Sequence, residues 1–192
     1  MALSSVSILP EADRLFGRRP AYTLNQLRPI ARFTADPTVL VVRADAPWRT
    51  LQDFVAAAKT RPGGYNYGSS GNYGTMHVPM EMLAANAGAS MTHVPFTGAA
   101  PAITALLGGT LDAVASGPST VVQHVKAGKL RVLANWGAER HPALPEVPTL
   151  RELGVAVEYA QWSGLFAPAG TPEPVLNVLR KAARDAQDDP AF

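Results

Sequence analysis

Short apolar runs alternate with helical stripes along most of the chain. Thr38–Val42 reads Thr-Val-Leu-Val-Val, an unbroken, largely β-branched run typical of a strand covered on both faces of its sheet. Thr50 then opens a helix over Leu51–Lys59, with Asp53 as its capping-box partner and Leu51, Phe54, Val55 and Ala58 as its apolar stripe. Trp48, ahead of that cap, reads as a hydrophobic staple, and Arg61-Pro-Gly-Gly64 ends the helix. The rest repeats this rhythm. Strands are predicted at Tyr65–Gly68, Thr92–Val94, Leu111–Ala115 and Lys129–Trp136. Between them lie helices from about Thr75 to Asn86, ended by Gly88, over Ala99–Leu107, and over Pro118–Lys126 with Gly128 just past its end. The stretch Pro142–Pro148 reads as loop, Leu150–Leu153 as a helical turn, and Val155–Phe166 as extended. A final helix, Pro174–Gln187, is preceded by Thr171 as cap and Pro172 at the first position. This order predicts an α/β fold with parallel sheets and right-handed crossovers.

Composition narrows the class. The chain has 192 residues, 47% of them apolar, no Cys, and 17 Lys+Arg against 15 Asp+Glu. That excludes a disordered chain, a disulfide scaffold, a Cys-ligated metal site and a Cys nucleophile. A net charge of +2 does not describe a nucleic-acid partner. No apolar run approaches the ~18 residues of a membrane span, so the protein is not expected to be membrane-embedded. Met1–Pro10 shows no signal-peptide pattern, which suits either a cytoplasmic chain or trimmed ends.

The chemistry concentrates in three turns, each between a strand and a helix. Gly68-Ser-Ser-Gly-Asn-Tyr-Gly-Thr75 combines three glycines with Ser69, Ser70, Asn72 and Thr75, a composition that aims backbone N–H groups and a helix start at one point. An ordinary capped turn has the same composition. It is neither a Walker loop, nor a dinucleotide fingerprint, nor a nucleophile elbow, and no cofactor is expected. Pro95–Pro101 and Ser116–Ser119 are the second and third turns, and all three lack Lys, Arg, Asp and Glu. At the carboxyl ends of a parallel sheet they would share one ligand region.

The four histidines show no metal-binding spacing. His77 reads as a polar residue of the first helical turn beside the loop or as a site residue, His93 as core or rim, His124 and His141 as exposed. A Ser70–His77 hydrolase pair would come from one turn and its helix with no orienting Asp nearby, so catalysis is not expected. Trp162 suits a cleft wall or a core position equally.

Taken in order, Tyr65-Asn-Tyr-Gly-Ser-Ser-Gly-Asn, Gly74-Thr-Met-His77, His93-Val-Pro-Phe-Thr-Gly98, Leu107-Gly-Gly-Thr-Leu-Asp112, Ala127-Gly-Lys-Leu-Arg-Val-Leu-Ala134, Leu144-Pro-Glu-Val-Pro-Thr149 and Trp162-Ser-Gly-Leu-Phe-Ala-Pro-Ala-Gly-Thr-Pro172 resemble the Bug-type extracytoplasmic solute receptors of tripartite tricarboxylate transporters. The resemblance spans nearly the whole chain. It implies a periplasmic type II binding fold of two α/β lobes joined by crossing strands, with a small carboxylate, often a dicarboxylate, held by loop backbone, hydroxyls and water. It further implies a periplasmic location, transporter membrane subunits as partners, and no enzymatic activity. Carried over, the ligand-binding residues are Ser69, Ser70, Asn72, Thr75 and His77 on the first turn. Phe96, Thr97 and Gly98 fall on the second and Ser116 and Gly117 on the third. Ser4, Ser5 and Trp162 face the cleft from the other lobe, and the hinge strands lie near Val39–Arg43 and Gln161–Phe166.

Residues 45–160 match a complete lobe two, and 1–44 plus 161–192 a partial lobe one. The family's signal peptide, first strand-loop and Asp-Gly-Tyr-Thr-Leu-like strand are not matched, nor are the helices that follow the position of Phe192. The expectation is a shortened receptor or a misassigned start. Phe96 stands where Tyr is usual and Thr97 where Lys is common, so the rim differs from that of relatives. Two other readings compete: a cytoplasmic effector domain of the LysR regulator type, and a hydrolase using Ser70.

Overall fold

The computed structural model describes residues 2–3 and 8–189. In chain order its elements are β1 (Ala2–Leu3), α1 (Leu9–Leu15), β2 (Leu27–Pro37), β3 (Val39–Arg43), α2 (Leu51–Thr60), β4 (Asn66–Ser69), α3 (His77–Ala87), β5 (Thr92–Pro95), α4 (Ala99–Leu107), β6 (Ala113–Ser116), α5 (Pro118–Lys126), β7 (Leu130–Asn135), β8 (Ala160–Pro168) and α6 (Glu173–Gln187). They divide into two compact units, Met1–Ala35 with Gln161–Phe192, and Asp36–Ala160.

The second unit is built on a five-stranded sheet of order β5-β4-β6-β3-β7. β3 is buried on both faces, as its apolar run predicts. Leu40 and Val42 join Phe54, Met80, Leu83 and Trp136 on one side, whereas Val39 and Val41 join Ile103, Leu106 and Val121 on the other. Helices α2 and α3 therefore cover one face, and α4 and α5 the other. The capping box of α2 is present: the Asp53 amide donates to Thr50 Oγ1 (3.1 Å) and the Thr50 amide to Asp53 Oδ2 (3.0 Å). Trp48 meets Phe54 edge-on at 5.2 Å, which realises the staple.

Two expectations need correction. The sheet is mixed: β4 runs parallel to β5 and β6, but β3 is antiparallel to both β6 and β7. Nor is Val39–Arg43 a hinge strand. It lies inside the five-stranded sheet, because four consecutive apolar residues gain most where both faces are covered. The chain passes between units at 35/36 and 160/161, so the unit boundary lies upstream of the expected 44/45.

The first unit contains a three-stranded sheet of order β1-β8-β2, in which Ala2 lies opposite Gly164. α6 is tied to β2 by an Arg28–Glu173 ion pair (2.8 Å) and by Gln187 donating to the Arg32 carbonyl (2.9 Å). Thr171 does not cap α6; the helix begins at Glu173 behind Pro172, with no side-chain cap. Most of the large apolar side chains left exposed among the described residues belong to this unit: Leu9, Leu15, Phe16, Leu24, Val175 and Val178.

Candidate functional site

Because β4 runs parallel to β5 on one side and β6 on the other, the turns that follow these strands emerge at the same end of the sheet. The Phe96 amide donates to the Ser69 carbonyl (2.9 Å), which ties the second turn to the first. Gly71 adopts φ +124°, a backbone state that side chains rarely take, and lies against the Phe96 carbonyl. Gly68 serves packing instead: a Cβ there would approach Leu111 Cδ1 to 2.5 Å and Ala102 Cβ to 3.3 Å.

The hydroxyls do not all face outward. Ser69 is fully buried. Its Oγ lies 2.9 Å from the Gly71 carbonyl, accepts from the Gly71 amide (3.2 Å) and meets His93 Nε2 at 2.6 Å. Ser116 is also fully buried, 2.6 Å from Thr120 Oγ1, which itself donates to the Gly117 carbonyl. The single Thr120 proton being spent there, Ser116 is the donor of that pair. Ser69 and Ser116 therefore brace their turns, a role that composition could not separate from ligand contact.

Of the remaining first-turn residues, Ser70 and Thr75 are half-buried and Asn72 is exposed. On the second turn Thr97 is exposed and Phe96 half-buried, whereas Gly117 of the third is buried. The helix after the first turn starts at His77, later than expected, and neither it nor α4, which follows Gly98, has a side-chain cap. The first-turn amides of α4 thus have no side-chain acceptor.

Trp162 belongs to the other unit, its ring 6.0 Å from that of Phe166. There it lines a cavity of about 530 Å³ with Ile30, Arg32 and Arg180. Ser4 and Ser5 lie outside the described residues.

Both histidines beside the turns are more organised than their spacing suggested. Their rings stack in parallel, 3.8 Å apart and 5° from coplanar, and Tyr67 stacks on His93 at 5.1 Å. His77 Nδ1 accepts the Tyr73 amide (2.9 Å), and its Nε2 lies 3.8 Å from Glu81 Oε1. Burial lowers the pKa of His77, opposed by Glu81. Burial and the neighbouring His77 push His93 down to about 4. The phenol of Tyr67 donates to Glu81 (2.5 Å), and burial together with that carboxylate raises its pKa. His77 has its Nδ1 occupied by backbone, and the serine that does meet an imidazole, Ser69, is fully buried; neither arrangement exposes a nucleophile beside its base. Among the described residues no group of three His, Cys, Asp or Glu side chains is placed to hold a metal ion.

Residues 4–192 match the tripartite tricarboxylate transporter family receptor, TctC. The chain belongs to this family. Family and fold are those of solute-binding receptors rather than enzymes.

A Cupriavidus necator relative, the UPF0065 protein in the gbd 5' region, is 41% identical over 80% of this chain and 46% of its own length. BugT of Bordetella pertussis is 30% identical over 87% of the chain and 52% of its own length. The chain thus spans about half the length of these curated relatives. A TctC solute-binding protein from Polaromonas superposes with a TM-score of 0.81 at 33% identity, covering 98% of this chain and 63% of its own. MatC of Rhodopseudomonas palustris, with bound malate, gives 0.81 at 30% identity, covering 93% and 62%. A further R. palustris protein, with adipate, gives 0.79 at 28% identity, covering 91% and 59%. The chain is therefore of the Bug type, and its α/β fold is of the periplasmic type II kind. Among the described residues no helix is long and apolar enough to cross a membrane.

Proposed function

We propose that this chain forms part of an extracytoplasmic receptor that binds a small carboxylate, a dicarboxylate by preference, for delivery to the membrane subunits of a tripartite transporter. The observation that carries this reading is the set of three turns at one end of the parallel strands, none containing an acidic or basic side chain. A carboxylate there is met by backbone amides and hydroxyls and by no competing carboxylate within the turns. Hydrogen bonds to a charged group contribute about 1.5–3 kcal/mol each, so several reach the roughly 8 kcal/mol of micromolar binding without a lysine or arginine. The malate and adipate of the two R. palustris proteins support the same ligand class.

Within the turns, the proposed ligand contacts are Ser70, Asn72, Thr75, Phe96, Thr97 and Gly98, with Ser69, His77, Ser116 and Gly117 behind them. Ser4, Ser5 and Trp162 are proposed to contribute from lobe one, which residues 1–35 and 161–192 form in part. The location proposed is the periplasm.

Ser70→Ala and Thr97→Ala test the assignment. Each should weaken binding of the preferred carboxylate about 10- to 150-fold, as loss of one hydrogen bond to a charged group, about 1.5–3 kcal/mol, requires. Unchanged affinity in both variants would remove these turns from the site.

A further inference from the structure

The stacked imidazoles hold the two ends of one turn. Ser69, where β4 ends, bonds His93 on β5. Tyr73, four residues on, gives its amide to His77 on α3. Tyr73 has φ +57°, the only positive value among the described non-glycine residues. A tyrosine is seldom found in that conformation without something to hold it.

The hydrogen bonds fix both tautomers. His77 Nδ1 is an acceptor, so its proton is on Nε2, facing Glu81. Ser69 Oγ accepts the Gly71 amide and gives its single proton to the Gly71 carbonyl, so His93 must donate through Nε2. Every bond is satisfied with both rings neutral.

We propose that His77 and His93 are positioning residues, a pair of stacked neutral imidazoles that sets the conformation of the 69–75 turn and so its capacity to bind a carboxylate. This rests on the reading of that turn as a ligand contact. Protonating His77 places a hydrogen on Nδ1, converts the acceptor to a donor and expels the Tyr73 amide. The groups facing the pair are Glu81 on the same helix as His77, Tyr67 from β4 and Tyr73 from the turn. Glu81 is the one carboxylate among them, and its charge favours the proton. Burial and the ring-on-ring contact oppose it, and two cations 3.8 Å apart are excluded as a stable state. Acidification below pH 6.5 therefore releases the turn through His77.

The test uses His77→Asn, whose Oδ1 reproduces an acceptor near Nδ1 but does not titrate, and His77→Phe, which keeps a flat ring and loses the acceptor. Two readouts are taken from pH 7.5 downward to the onset of acid unfolding: the Tyr73 amide by proton–nitrogen NMR, and affinity for malate and adipate by calorimetry. In the native chain the Tyr73 amide is expected to shift and lose exchange protection as His77 protonates, with affinity falling in step. H77N should lose less of its own affinity on acidification than the native chain loses of its own, since it shares the ligand's titration but not that of the imidazole. H77F should bind at least tenfold more weakly at pH 7.5.

A Tyr73 amide indifferent to pH overturns the proposal, and that measurement stands even if H77F does not fold. Native affinity in a folded H77F overturns it as well. A responsive Tyr73 amide in a chain that binds no carboxylate supports the clamp and refutes the carboxylate reading of the turn.

Discussion

Gly68 shows how closely single residues are fixed around the site. Its missing Cβ lets β4 approach Leu111, Ala102 and Val114, all of them buried. Gly68→Ala is expected to destabilise the fold by about 1–3 kcal/mol, the usual cost of overpacking a core. Chemical denaturation would show this as a lower midpoint with an unchanged slope.

The histidines supply a second prediction at this scale. Their folded pKa values lie below the ordinary imidazole value of 6.5, with His93 at about 4. The unfolded chain therefore binds more protons than the folded one as pH falls through 6.5, and stability falls with it until about pH 4. The lowered carboxylates Asp45, Asp53, Glu152 and Glu173 begin to lose their contributions as pH falls into the usual carboxylate range, so the interval from 6.5 to about 5 belongs to the imidazoles. Thermal unfolding should show a lower Tm at pH 5 than at pH 7, and H77N should narrow that difference.

The elements of the second unit were largely legible because their local signals agree. Ala99–Leu107 and Pro118–Lys126 fall where the apolar spacing and the flanking glycines put them. Thr50 and Asp53 announce the start of α2, and the structure closes both halves of that box. Thr50→Ala should cost about 0.5–2 kcal/mol, measured by denaturant titration. A smaller loss would mean that burial of Leu51 and Phe54 alone holds the helix.

The first unit was barely legible. β2 spans 11 residues, but Arg28, Pro29, Arg32, Asp36 and Pro37 mask the alternation of Leu27, Ala31, Phe33 and Ala35. An edge position in the sheet accommodates those prolines. The short α1 hides for a similar reason: only Pro10 and Ala12 of its residues are buried. At the site, composition located the three turns but could not say which hydroxyls turn inward. The orientation of Ser69 depends on His93, which reaches it only in three dimensions, and that of Ser116 on its neighbour Thr120, whose inward bond composition does not signal. The imidazole stack was invisible for the same reason, since His77 and His93 lie on separate elements 16 residues apart.

At the scale of the whole molecule the two units differ in self-sufficiency. Asp36–Ala160 buries both faces of its sheet with its own helices, so this segment alone should unfold cooperatively with most of the stability of the chain. A broad, non-cooperative transition of the isolated segment would show that it depends on the rest. The first unit leaves Leu15, Phe16, Val175 and Val178 in solvent, and the chain spans only about half the length of its curated relatives.

The central claim is that the three uncharged turns bind a carboxylate. Thermal unfolding of the chain with malate, adipate and a C3 to C8 series of mono-, di- and tricarboxylates tests it most directly. Ligand at a hundred times its Kd should add about 2.7 kcal/mol, a rise in Tm of roughly 5–11 °C, for at least one dicarboxylate. A Tm that stays constant across the whole series at millimolar concentrations would contradict the account.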